Sequence, residues 1–185
     1  VTRYAARPAL PTRLLGAGAA MLLGVGALAG CSAHPGQVAI VNYTDADGVS
    51  RTVAISEQEV QDAAEELGEY SAVAGDQGYS AVYVANALID LPVIEQLGAE
   101  FGVAVTDAEA LEELQQVAAD VDYSPAAVGA FRYQKLALLI NTLEDQEAVG
   151  ARYQELWNGI SVEAAPRYQG DGGWLLQDDT QLQLG

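Results

Sequence analysis

The chain has 185 residues, with 26 acids against eight bases, one cysteine and one histidine, and a formal charge of −18. That length suits one ordinary domain with a core of its own. One cysteine excludes an internal disulfide, and the negative charge repels phosphate backbones, so no nucleic-acid partner is expected.

The first element in chain order is an apolar run of 18 residues, 14–31, with Cys31 at its end. Its length suggests a membrane span. It consists mostly of Ala and Gly, however, and Gly weakens a helix. Arg3, Arg7 and Arg13 precede it, and the small Ala29 and Gly30 close it. Basic segment, apolar segment and small-residue exit are the layout of a secretory signal peptide. Leu28-Ala29-Gly30-Cys31 resembles the lipobox of bacterial lipoproteins. The resemblance implies that the Cys31 thiol takes a diacylglyceryl group. It also implies that a dedicated peptidase recognises Leu28, Ala29 and Gly30 and cuts before Cys31. A buried structural thiol, the usual state of a lone cysteine, explains neither the flanks nor the position. The expected location is the extracytoplasmic face of the cell membrane, with membrane lipid engaged through acylated Cys31.

Beyond residue 30 lie 155 residues that hold all 26 acids and only five bases, Arg51, Arg132, Lys135, Arg152 and Arg167, a formal charge of −21. Such a surface is repelled by anionic headgroups, so the lipid itself must supply the anchor. Residues 31–37, "CSAHPGQ", form a lipidated tether that reaches about 20 Å when extended. The only histidine, His34, lies in it. No Ser–His–Asp triad or histidine metal site is therefore expected in the domain.

Residues 38–55 combine Val, Ile and Tyr with Asp47-Gly48, which predicts a β-hairpin. The "DADG" at its tip does not continue as a calcium loop, because the positions that need Gly and Glu hold Ser50 and Ser56. Ser56 with Glu59 predicts a capping box, stapled by Ile55 and Val60, and a first helix to about Leu67 with Gly68 as its stop. A loop follows at 74–80. Residues 80–102 are apolar nearly all round and predict a buried helix that Pro92 kinks or splits. Thr106 and Glu109 predict a second capping box on a helix to about Ala119. Ser124 and Pro125 open another within 123–145, and a last helix covers 146–158. The remainder reads as extended, with a polar end at 171–185. The expected class is mainly α: five helices, a small hairpin and terminal strands.

Several of these stretches, in this order, resemble the N-terminal domain of SurA-like extracytoplasmic chaperones, which belong to the wider group sharing the peptide-binding domain of trigger factor. They are Val38-Ala39-Ile40-Val41-Asn42, Ile55-Ser56-Glu57-Gln58-Glu59, Leu88-Ile89, Gly102 to Glu109, and Arg132 to Leu138. Ala165-Pro166-Arg167-Tyr168 is similar to a motif near the end of such lipoproteins in GC-rich Gram-positive bacteria. The likeness spans 38–170. The hairpin at 43–53 departs from the family, which turns at once into its first helix. The resemblance implies a five-helix module that binds unfolded or exported polypeptides. No parvulin-type isomerase domain is expected in the 15 residues after Gly170.

The sequence offers no catalytic residue, metal site or cofactor motif. Carboxylate pairs such as Glu112/Glu113 and Asp178/Asp179 are adjacent, so on a helix they point apart. The residue types leave a carboxylate-only glycosidase open, and an unrecognised enzyme is the third reading. Tyr83, Tyr133, Tyr153 and Trp157 either line an adaptable contact surface or pack the core. The function expected is chaperone-like polypeptide binding at the membrane without isomerase activity. The alternative is a structural adaptor that docks one envelope partner.

Overall fold

The computed structural model describes residues 35–168. Strands β1 (Gln37–Thr44) and β2 (Ser50–Ser56) pair antiparallel, as their Val, Ile and Tyr content and the Asp47-Gly48 turn predict. Gly48 adopts φ 77°, and its N–H donates to Asp45 O at 2.9 Å. This closes a three-residue loop, 46–48, with glycine in the left-handed position such loops require. The Asp45 carboxylate holds the loop, accepting from Asp47 N–H, Val49 N–H and Arg51 Nε–H at 2.8–3.1 Å.

Ser56 caps α1 (Glu57–Ala74) through the reciprocal box with Glu59. The helix does not stop at Gly68. It continues to Gly75, which takes φ 76° and ends the helix in the left-handed conformation. The reason is tertiary. Burial recurs at Val60, Ala63, Leu67 and Tyr70, and the Tyr70 ring meets Phe131 edge-on at 5.4 Å. That packing outweighs the roughly 1 kcal/mol that an interior glycine costs.

Helix α2 (Ala81–Glu100) fills the stretch expected, and Pro92 does not split it. Ten of its residues are buried, Pro92 among them. Packing on this scale offsets the roughly 3 kcal/mol cost of an interior proline. Helix α3 (Asp107–Val117) starts at the Thr106/Glu109 box and ends two residues before the expected Ala119. Helix α4 (Pro125–Ile140) starts at Ser124 with Pro125 in its first turn. It packs closely on α2, where a Cβ added to Gly129 would lie 3.2 Å from Leu88. Helix α5 (Gln146–Asn158) is capped by Asp145.

Strand β3 (Ser161–Ala164) then pairs antiparallel with β1, giving the sheet order β2-β1-β3. The sequence predicted extended chain here, and the structure supplies its partner. A short 3-10 turn, Pro166–Tyr168, follows, tied back by Ala165 N–H to Val38 O at 2.9 Å. The domain is thus mainly helical, with five helices and a small antiparallel sheet. Two apolar clusters hold it together. The larger joins the sheet to α1, α3 and the first halves of α2 and α4. The smaller is formed by Ile94, Leu97, Leu136, Ile140 and Val149.

Candidate functional site

The smaller cluster lies where α5 covers the second halves of α2 and α4. Val149 is the only buried residue of α5. Leu156, Tyr153 and Trp157 pack half-buried against the clusters beside it, and polar contacts add to the attachment. Asp90 on α2 is 8% exposed, and the Tyr153 hydroxyl on α5 donates to its carboxylate from 3.2 Å of both oxygens. The Tyr133 hydroxyl on α4 is a second partner of the same group. Among the described residues, no cation acts on that charge. Burial pushes the Asp90 carboxyl up to about 6, while the two tyrosine hydroxyls pull it the other way by stabilising the ionised form. Burial and the neighbouring carboxylate both raise Tyr133 and Tyr153, so each phenol stays protonated and able to donate.

One turn earlier on α2, the buried Asn86 Oδ1 accepts no hydrogen bond. Asn86 and Asp90 are four residues apart and therefore share a helix face. Aromatic rings border this face. Tyr79, Tyr83 and Tyr133 form an edge-to-face series at 5.4 and 6.4 Å, and Tyr153 stacks on Trp157 at 6.2 Å. The Tyr79 hydroxyl donates to Gln134 Oε1. The four aromatics singled out in the sequence are therefore brought into one region, each half-buried and packed against a cluster. They do not stand free as the walls of an open groove.

The bases are committed elsewhere. Arg132 reaches Glu95, Asp107 and the Val105 carbonyl, and Lys135 pairs with Glu113 at 2.9 Å. Arg152 grips both oxygens of Glu100 at 2.7 Å and also meets Glu155, while Arg51 pairs with Asp45 at 2.8 Å. The acidic surplus is thus left without cations of the domain's own among these four.

Leu28, Ala29, Gly30 and Cys31, the residues of the expected processing and lipid-attachment site, lie outside the described residues, as do Asp178 and Asp179. Glu112 and Glu113 diverge: Glu113 binds Lys135, whereas Glu112 accepts from Gln116 at 3.3 Å. Among the described residues, no group of three or more His, Cys, Asp or Glu side chains is placed to hold a metal ion. No helix among them is long and apolar enough to cross a membrane. Sequence reasoning missed Asp90. Its signal was a lone acid in "NALIDLPVI", within a helix apolar nearly all round, where most positions are buried.

The chain matches no family model, no curated protein and no solved structure. The architecture defines a class, a five-helix module closed by a three-stranded sheet.

Proposed function

We propose that the chain is a lipoprotein anchored through acylated Cys31 on the extracytoplasmic face of the membrane, and that its helical domain binds exposed segments of exported polypeptides without catalysis. The anchor rests on the Leu28-Ala29-Gly30-Cys31 motif and its flanks. The binding rests on the order of SurA-like motifs and, in the fold, on Leu138 and Leu139. These neighbours near the end of α4 are 56% and 41% exposed and leave apolar surface open beside the smaller cluster. The acidic surface keeps a complex soluble through self-repulsion.

A second reading, an adaptor for one envelope partner, draws support from the half-buried packing of Tyr83, Tyr133, Tyr153 and Trp157. Aromatics committed to the core leave less adaptable surface for many clients.

The test is suppression of aggregation of an unfolded client by residues 32–185 without ATP, against an equally acidic protein of unrelated fold. Protection beyond that control, retained at 1 M salt where the screening length is about 3 Å, supports polypeptide binding. Protection no better than the control, together with one stoichiometric partner in live-cell crosslinking, gives the adaptor.

A further inference from the structure

The two edges of the sheet differ. Strand β3 has four residues, carries an exposed Glu163, and is followed two positions on by Pro166. Short length, charge and proline are devices that keep an edge from pairing with another chain. Strand β2 has seven residues and contains no proline and no acid. Its one charged side chain, Arg51, is held by Asp45 at 2.8 Å, and every residue from Ser50 to Ala54 is exposed.

The register shows which backbone groups the β2 edge leaves open. Asp45 N–H donates to Val49 O at 2.9 Å, and on the other side of β1 the Ala165 N–H donates to Val38 O. Bonded pairs alternate along an antiparallel ladder. Arg51, Val53 and Ile55 therefore bond to β1, whereas Ser50, Thr52 and Ala54 turn their N–H and C=O groups outward. Among the described residues, no other element bonds to those groups. Val53 shares its face with Val41 and Ile55, both buried, yet is itself 37% exposed. A strand laid along β2 would set a side chain beside Val53 and extend this apolar face by one row.

We propose that the outer edge of β2 takes an extended segment of another polypeptide as a fourth strand. The segment pairs through Thr52 and Ala54, sets an apolar side chain beside Val53, and carries lysine or arginine at its ends. Charge favours this occupant over two others. Residues 45–62, from the hairpin tip into the start of α1, hold five acids and one base. A second copy brings the same acidic excess, and residues 169–185 hold three acids and no base. Both are repelled where a cationic segment is drawn in. That the segment comes from an exported client rests on the binding function proposed above. The strand pairing does not, and it shares no residue with Leu138 and Leu139.

The probe is a short peptide of alternating valine and threonine with lysine at both ends, added to the full chain. The Thr52 and Ala54 amides should exchange freely with deuterium in the chain alone and become protected when the peptide binds. Methylating the peptide nitrogens that face β2 should weaken binding about tenfold or more, because the donors to the outward carbonyls are lost. Glutamate in place of the terminal lysines should also weaken it, and that difference should shrink at 1 M salt, where the screening length is about 3 Å. Ala54→Pro removes an outward N–H, a change that an edge strand tolerates, and should weaken binding by a similar factor. Should this variant not fold, the methylated peptide decides on the wild-type chain. No binding, equal binding of the methylated or glutamate-ended peptide, or protection away from β2 overturns the proposal. So does protection of Thr52 and Ala54 before peptide is added: in a monomer it gives the edge to the chain's own segment, and in a dimer to a second copy. If the peptide pairs with β2 but Ala54→Pro protects unfolded clients as well as wild type does, the edge site stands and its part in client binding falls. If clients are protected and the peptide does not bind, the edge site falls and the binding function stands.

Discussion

The two halves of α2 lie in different environments. Val84, Ala85, Ala87 and Ile89 sit in the larger cluster, among β1, α1 and α4, where the contacts are apolar and come from every side. Past Asp90, Ile94 and Leu97 belong to the smaller cluster, and their outer cover is α5, a helix with one buried residue. Tyr133 touches both clusters and joins them. One helix thus passes from a dry core held by burial to a thinner region held partly by hydrogen bonds and ion pairs. The comparison teaches that stability and responsiveness are separated along the chain: burial of apolar groups is insensitive to pH, and a buried carboxylate is not.

The largest effect expected from this contrast is on the dry side. Leu67→Ala, at a fully buried position of α1, should cost about 2–5 kcal/mol in denaturant unfolding. Val149→Ala removes two methyl-sized groups from the smaller cluster and should cost about 1–2 kcal/mol, with its exchange effect confined to α5. Equal costs, or faster exchange throughout the domain in both variants, would show that the clusters unfold as one unit.

Next is the pH dependence. The folded Asp90 carboxyl dissociates near 6 and the unfolded one at 3.8. The folded state therefore holds more protons in that window, and stability declines as pH rises through it. Between pH 5 and pH 7.5 this group should remove about 1.4 kcal/mol, the equivalent of tenfold. Chemical denaturation of Asp90→Asn beside wild type at the two pH values should show the gap between them shift by that amount in favour of the variant at pH 7.5. An unchanged gap would place Asp90 in contact with water.

Capping gives a smaller effect without pH dependence over this range. Thr106→Ala breaks the box that starts α3, and about 1 kcal/mol should be lost in thermal or urea unfolding at either pH. Smallest is Arg152→Gln. The pair with Glu100 is exposed on both sides, so the loss should be the smallest of the series and should disappear at 1 M salt. A loss that persists at high salt would move this pair from the responsive side of the comparison to the structural one.

Local chemistry was legible where it is self-contained. Ser56 with Glu59, Thr106 with Glu109 and Ser124 with Pro125 each placed a helix start within a residue, because a cap is settled by atoms a few positions apart. The same local rules failed at Gly68 as a stop, and at Pro92 the helix is not split. Both are unfavourable inside an isolated helix, and both are carried by packing that involves residues far along the chain. The aromatics of the candidate site were named from composition, but Asp90 was not, since its importance depends on what α4 and α5 bring to it.

By itself the sequence determined the five helices, the hairpin, the acidic excess and the lipobox-like motif at Cys31, because periodicity, turn residues, charge and a four-residue signal are all read along the chain. Only the tertiary structure decided that β3 joins the far end of the domain to β1, that α2 runs unbroken through Pro92, and that a single carboxylate lies under α5 against two tyrosines. The physical reason is that burial is a property of the assembled elements. The same aspartate is an ordinary solvated acid on an isolated α2 and becomes a titrating group near neutral pH when two other helices exclude water from it.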